Sequence, residues 1–265
     1  MKALDLTERR FGEKRAGGAP VVLLHGLLGS SRNWQTAAVR LAERHAVVAL
    51  DLRNHGDSPH DRRMDYGSMA ADVRAWADRE GSDRIHLVGH SMGGKVAMRL
   101  ACDDPGRVAS LTVVDIAPRA YPPRWEREFA AMRRMPVSGL ERRSEAEAWL
   151  EEDIRDWAFR KFLVSNLERD PGGGFRWRVN LEILEGALPE LFRQVPEGGE
   201  GYAGPTLFMR GAGSRFVSEN DRPMMARFFP DYRLETVEGA GHNVHFDQPD
   251  RFAAGVLEQV ERADG

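Results

Sequence analysis

Cysteine occurs once in this chain, at Cys102, so no internal disulfide can form, and its setting in MRLACDDP reads as a buried position on a helix. That usage fits a reducing, cytoplasmic setting. Lysine is nearly as scarce: only Lys2, Lys14, Lys95 and Lys161 contribute to the 38 basic residues, and the arginines are scattered among acids. With a formal net charge of -3, no basic block marks a nucleic-acid partner or an anionic membrane surface. Nowhere does an uncharged apolar run approach the roughly 20 residues of a membrane-spanning helix, and MKALDLTERRFGEKR lacks the apolar core of a signal peptide. No repeat period appears, and neither a GxxxxGK[ST] phosphate loop nor a dinucleotide fingerprint occurs, Gly211-Ala212-Gly213 being too short and badly placed. No cofactor is implied.

What the chain does have is alternation. VVLLHG at 21–26, AVVALDLR at 46–53, RIHLVGH at 84–90 and SLTVVDIA at 110–117 are apolar runs continuous enough for strands buried on both faces, as in a parallel sheet. Between them, 33–44, 66–80 and 92–103 carry apolar residues at helical spacing, the last ending at Asp104-Pro105-Gly106. At 265 residues the default is one α/β domain, residues 1–265, with right-handed crossovers and helices on both faces. From 116 to 204 the pattern changes to helices without strands, which reads as a helical insertion. Alternation then resumes with PTLFMRG at 205–211, a helix over 219–229, YRLETVEG at 232–239 and a last helix over 249–262.

The chemistry begins in RIHLVGHSMGGKVA. Gly89-His90-Ser91-Met92-Gly93 follows a strand and opens a helix, the setting of a nucleophile elbow, and its glycines let strand and helix approach closely. A serine hydroxyl needs a base. His242, in EGAGHNVHF after the last predicted strand, sits where a parallel sheet presents its carboxyl-end loops, whereas His245 reads as packing at the start of the next segment. The acid is less direct. The loop after PTLFMRG carries Ser214 where an aspartate is usual, and a neutral hydroxyl cannot stabilise an imidazolium. Asp115, at the end of the strand expected beside the elbow strand, is the preferred replacement; Glu219 and Asp221 remain rivals, although SEND also reads as a helix start. For the oxyanion, the backbone N–H groups of Met92 and Leu27, the latter in HGLLG, are the candidates. His86 and His90, four apart on a strand, lie roughly 13 Å apart and cannot share a metal.

VVLLHGLLGSSRNW, DLRNHGDSPH, VGHSMGGKVAM, VVDIAP, FLVSNL with FRWRVNL, PTLFMRGAGSRFV and GAGHNVHF together resemble the α/β-hydrolase fold family, and within it the small bacterial carboxylesterases related to mitochondrial abhydrolase-domain esterases. RNHGDSP, with Asn54 where many hydrolases have glycine, is the most discriminating stretch. The resemblance implies a mostly parallel eight-stranded sheet, a helical cap inserted after strand 6, and hydrolysis of small ester or thioester substrates through an acyl-enzyme. It also implies an acid at the VVDIAP aspartate and a bracing role for Asp51, Arg53 and His55. Carbon–carbon bond hydrolysis, perhydrolysis and a non-catalytic ligand-binding role are the alternatives on the same fold. Four of the six tryptophans, Trp125, Trp149, Trp157 and Trp177, fall in the insertion, where most are expected to hold its helices together and one or two to line an acyl pocket.

Overall fold

A computed structural model of the chain describes residues 3–12 and 18–265; part of the N-terminal stretch read for a leader therefore lies outside the described residues. Seven strands form one sheet: β1 (Glu8–Phe11), β2 (Val21–Leu24), β3 (Val47–Leu50), β4 (Ile85–His90), β5 (Val108–Val114) and, after an insertion containing β6 (Leu167–Arg169) and β7 (Phe175–Trp177), β8 (Thr206–Gly211) and β9 (Tyr232–Val237). Their order is β1-β3-β2-β4-β5-β8-β9, with β1 antiparallel to β3 and every other pair parallel.

The residue pattern explains the layers. Val22 and Leu24 of β2 face one apolar cluster while Val21 and Leu23 face another, and β3 divides in the same way into Val48 with Leu50 and Val47 with Ala49. Successive side chains of a strand point to opposite faces, so a strand must be apolar throughout when both faces are covered. Helix α1 (Gln35–Ala42) and the last helix (Pro249–Asp264) cover one face; α2 (Tyr66–Arg79) and α3 (Met92–Asp103) cover the other.

Two expectations about the architecture change. The described residues supply seven sheet strands rather than eight, and the insertion follows the fifth rather than the sixth. The described residues before Glu8 are committed elsewhere: the Leu4 N–H donates to Asp72 Oδ1 at 2.7 Å and the Thr7 N–H to Ser58 Oγ at 2.8 Å, so these amides bind side chains instead of a ladder partner. The insertion is also not purely helical. Besides α4 (Glu126–Arg134), α5 (Arg143–Leu150), α6 (Trp157–Val164), α7 (Leu181–Gly186) and α8 (Leu188–Leu191), it holds the antiparallel ribbon β6/β7. Gly173 and Gly174 turn that ribbon at φ 106° and 71°, and a Cβ on Gly174 would stand 2.1 Å from the Ser138 carbonyl oxygen.

The insertion's two arms meet at its neck, where Tyr121 N–H donates to the Phe192 carbonyl at 2.8 Å and Val195 N–H to the Pro118 carbonyl at 2.9 Å. Its far side reaches the sheet's loops: Asn166 Nδ2 donates to the Leu28 carbonyl at 2.8 Å, and Asn180 N–H to the Asn54 carbonyl at 3.1 Å. The tryptophans divide differently from expectation. Trp125 and Trp177 pack against the core, but Trp149 and Trp157, on the insertion's outer helices, are exposed.

The chain runs from β2 outward to β3 and then returns to β4 on the other side of β2, so strand order reverses between β2 and β4. In an open parallel sheet the crevice beyond the carboxyl ends of the strands at such a reversal is where ligands bind. The loops carrying Leu27 and Ser91 leave β2 and β4 there.

Candidate active site

Ser91 stands between β4 and α3 at φ 52°, ψ -117°, a backbone conformation that costs on the order of 1–3 kcal/mol for a non-glycine residue. The surrounding glycines make it possible. A Cβ on Gly89 would lie 2.2 Å from the Gly93 carbonyl oxygen, and one on Gly93 would lie 2.4 Å from that of Leu24. Strand, helix and the neighbouring strand therefore converge where only hydrogen atoms fit. The Ser91 amide donates to the Val114 carbonyl at 3.0 Å, which locks the elbow to the end of β5.

The next residue on that strand is Asp115, also at positive φ (52°) and fully buried. Its amide donates to Met209 of β8 at 2.8 Å. Its carboxylate takes three donors. Gly211 N–H binds Oδ1 at 3.1 Å, while Oδ2 accepts His242 Nδ1 at 2.7 Å and the Ser214 hydroxyl. Ser214 thus occupies the post-insertion position and bonds the carboxylate, leaving the imidazole to Asp115. The rivals are engaged elsewhere: Glu219 is exposed between Arg210 and Arg222, and Asp221 pairs with Arg119 at 2.8 Å.

With Nδ1 donating to Asp115, the remaining acceptor of a neutral His242 is Nε2. Among the described residues no hydrogen bond occupies Nε2 or the Ser91 hydroxyl, and bonds between nucleophile and base commonly tighten only once substrate is bound. The His242 backbone is held from beneath. Its carbonyl accepts His90 Nε2–H at 2.9 Å, and the two rings lie 4.6 Å apart. Burial keeps His90 well below the ordinary histidine pKa, and burial followed by the nearby His242 pushes His245 down to about 3. His245 packs between Trp34 at 4.3 Å and His90 at 4.8 Å, which suits the packing role expected of it.

The Leu27 and Met92 amides donate no hydrogen bond among the described residues. Met92 begins the twelve-residue α3, whose dipole favours negative charge at that end. The Leu27 loop is shaped by two neutral imidazoles. His25 Nε2 accepts Leu52 N–H at 2.9 Å and its Nδ1 faces the Gly26 carbonyl, while His55 Nε2 accepts Leu28 N–H at 3.1 Å. Burial lowers both pKa values, that of His55 to about 3.

Asp51 accepts the amides of Ser31 and Asp57, and Arg53 forms a two-pronged bond to Asp72 at 2.7 and 2.8 Å, so the bracing expected of Asp51, Arg53 and His55 is visible as bonds. Asn54 sits at φ 65°, where an amide side chain is better tolerated than most.

Sequence reasoning did not single out Phe216, Asn166 or Lys95. Phe216 stacks on the His242 ring, with centroids 3.9 Å apart and planes 21° apart. Lys95, one turn into α3, is buried and donates to the carbonyls of Arg119 and Arg193, one on each arm of the insertion. An open polar hollow of about 350 Å³ lies between Asp57 and His60 on one side and Glu168, Arg176 and Arg178 of the insertion on the other; Ser91, Asp115 and His242 do not line it. Among the described residues no three His, Cys, Asp or Glu side chains converge as a metal site, and His86 Nδ1 pairs with Ser110 Oγ at 2.9 Å.

The family model described as the alpha/beta hydrolase family matches residues 21–255, which span every sheet strand but β1 and include Leu27, Ser91, Met92, Asp115 and His242. The chain belongs to the alpha/beta hydrolase family. Within that family it is 40% identical over 256 residues to the sn-1-specific diacylglycerol lipase ABHD11 of Xenopus tropicalis, covering 94% of this chain and 80% of the relative. It is 33% identical over 253 residues to the esterase YbfF of Escherichia coli, covering 94% of each. Among solved structures, a marine microorganism esterase superimposes with a TM-score of 0.92 at 35% identity, covering 97% of this chain and 99% of the other.

Proposed function

We propose that this alpha/beta hydrolase is a serine carboxylesterase in which Ser91, His242 and Asp115 form the triad and the Leu27 and Met92 amides form the oxyanion hole. The observation that carries this reading is the 2.7 Å contact between Asp115 Oδ2 and His242 Nδ1, beside a serine held at φ 52° on the elbow. Relatives named as esterases and lipases support ester bonds as the target. The carbon–carbon hydrolase, perhydrolase and non-catalytic alternatives gain no such support.

In the proposed cycle, His242 Nε2 takes the Ser91 proton as Oγ attacks the ester carbonyl carbon. Negative charge moves to the carbonyl oxygen, where each preorganised N–H is worth about 10²- to 10³-fold in turnover. Asp115 holds the imidazole with Nδ1 protonated and stabilises the imidazolium. Collapse breaks the bond to the leaving alcohol, which takes the proton from Nε2 and departs, leaving an ester on Ser91. Water then attacks that acyl group, giving its proton to Nε2. The second collapse returns the proton to Ser91 Oγ and releases the acid.

Oxygen esters are the first substrates to test, acylglycerols among them, given the activity named for the Xenopus relative. The deciding experiment is a panel of p-nitrophenyl esters, monoacylglycerol and diacylglycerol esters and acyl-CoA thioesters of graded chain length, run with wild type and Ser91→Ala. Hydrolysis that disappears in Ser91→Ala, together with stoichiometric labelling of Ser91 by a fluorophosphonate, is the expected result. Turnover that survives in Ser91→Ala refutes the reading.

A further inference from the structure

The hydrogen bond to Asp115 fixes one atom of the His242 ring, and with Cβ as the second anchor it leaves the turn of the ring about the line between them unset. Its loop is held through the backbone, the His242 carbonyl accepting His90 Nε2–H at 2.9 Å and the Gly241 N–H donating to Asp247 Oδ2 at 2.8 Å, and neither bond sets the plane of the ring. The His242 side chain is itself 28% exposed, so packing on all sides does not hold it. What does lie flat on the ring is Phe216. Its centroid is 3.9 Å from that of the imidazole and the planes differ by 21°, whereas the other neighbouring ring, His90, is tilted by 50°.

Phe216 is in turn fixed from two directions. Its N–H donates to Ser214 Oγ at 3.2 Å, the same oxygen whose hydrogen goes to Asp115. Its carbonyl accepts the Tyr121 hydroxyl at 2.6 Å and Arg119 Nη2 at 3.4 Å, both from the first arm of the insertion. The Tyr121 ring lies 5.8 Å from the Phe216 ring, and the Arg124 guanidinium lies 5.5 Å from it. A continuous set of contacts therefore runs from the insertion's arm, through Phe216, to the face of the imidazole.

Resting on the triad proposed for Ser91, His242 and Asp115, we infer that Phe216 is a positioning residue for His242: it sets the plane in which Nε2 meets Ser91, and couples that plane to the insertion's arm through Tyr121. Two physical effects act together. An aromatic face against the imidazole restricts rotation about the Nδ1 contact, and the same face attracts the positive charge that the ring carries when protonated. Both are felt when the proton moves, and neither concerns the affinity for the ester. Loss of the face should therefore lower kcat and leave KM in place.

The test compares Phe216→Leu, Phe216→Met, Phe216→Tyr and Tyr121→Phe in the full-length chain on one short-chain aryl ester. Phe216→Leu and Phe216→Met are expected to lower kcat by about tenfold or more, since misplacement of a reacting group by about 1 Å can cost 10²-fold. KM should stay within about twofold, and Phe216→Tyr should recover most of the turnover. Tyr121→Phe, which removes the hydroxyl that accepts the Ala117 N–H at 2.8 Å and donates to the Phe216 carbonyl, should show a smaller fall of the same kind. A readout independent of turnover is the shift of the His242 carbon-bound ring protons: the Phe216 face moves them upfield in wild type and Phe216→Tyr, and Phe216→Leu abolishes that displacement. Thermal melts identify a variant that fails to fold, in which case Phe216→Met and Tyr121→Phe decide. A kcat within twofold of wild type in both Leu and Met variants, a change confined to KM, or a loss that Tyr does not rescue overturns the inference. If wild type itself neither hydrolyses esters nor labels at Ser91, it is the triad reading that has failed.

Discussion

Replacing Asp115 by asparagine changes one oxygen to an NH₂ group, and the three bonds at that carboxylate dictate how the new group sits. Gly211 N–H faces Oδ1, so the amide oxygen stays there and the NH₂ takes the place of Oδ2, opposite His242 Nδ1 and the Ser214 hydroxyl. A hydroxyl can turn and accept; the imidazole can accept only by shifting its proton to Nε2. In that tautomer Nε2 cannot receive the Ser91 proton. The lost electrostatic attraction is comparable: unit charges centred about 4 Å apart in an effective dielectric near 20 interact by about 4 kcal/mol, or about 10³-fold in rate. With the wrong tautomer added, the expected loss in kcat is about 10³- to 10⁴-fold, the range seen when a triad acid elsewhere becomes its amide. The assay is steady-state hydrolysis of an aryl butyrate, with fluorophosphonate labelling rates and a thermal melt to show that the fold survives. Glu219→Gln and Asp221→Asn should stay within about threefold of wild type in kcat. A second-site Ser214→Asp added to Asp115→Asn should recover at least tenfold, because it returns a carboxylate to the same junction. An Asp115→Asn enzyme within tenfold of wild type refutes the reasoning.

Ser91→Gly should abolish turnover yet raise Tm by about 2 to 6 °C, since relief of about 1–3 kcal/mol of backbone strain moves Tm by about 2 °C per kcal/mol in a chain this long; a lowered Tm contradicts the strain argument. Asn166→Ala strips the Leu28 carbonyl of its partner from the insertion, and is expected to cost about 1–2 kcal/mol in a denaturant melt together with a fall in kcat through the Leu27 amide; unchanged values of both count against that coupling. Lys95 offers a pH test: burial first, then the Arg119 guanidinium, push its ammonium down to about 7, with Glu190 opposing them. The unfolded chain then binds more protons between about pH 7 and the ordinary lysine range, so the charged-state penalty is complete below pH 7 and is relieved as pH rises through that window. Wild type measured against Lys95→Met should gain stability from pH 7 to 10, by at most about 1.4 kcal/mol per pH unit, and parallel profiles would exclude it.

Continuous apolar runs made the central strands legible, because a strand buried on both faces has no room for polar alternation. The elbow was legible for a related reason: glycines at 89 and 93 are required wherever backbones approach to within a Cβ, and the crowding there is severe. β1 was hidden by its composition, since ERRF is charged and forms only an antiparallel edge on β3. The ribbon β6/β7 has three residues per strand, too few for a period of two to declare itself. Phe216, Asn166 and Lys95 share a different obscurity. Each acts on a partner 24 to 138 positions away, and no local pattern announces which surface the insertion will return to.

The sheet explains how the proposed acid can stand at the end of β5 rather than in the loop after β8. The two strands are parallel neighbours, with Val114 opposite Met209, so the chain ends of both open onto the same crevice. Asp115 N–H takes the Met209 carbonyl and Gly211 N–H takes the Asp115 carboxylate, which stitches the two exits together. At that junction the Ser214 oxygen and Asp115 Oδ2 are hydrogen-bonded to each other, so a carboxylate hung from either strand can reach the imidazole. What differs is the backbone. To aim a side chain sideways from the end of β5 the chain must turn to φ 52° at Asp115, the same sign and size of φ found at Ser91 one strand away. The sheet thus holds the proposed nucleophile and acid in two strained turns bonded through Ser91 N–H and the Val114 carbonyl, and the histidine needs only to be presented to the point they define.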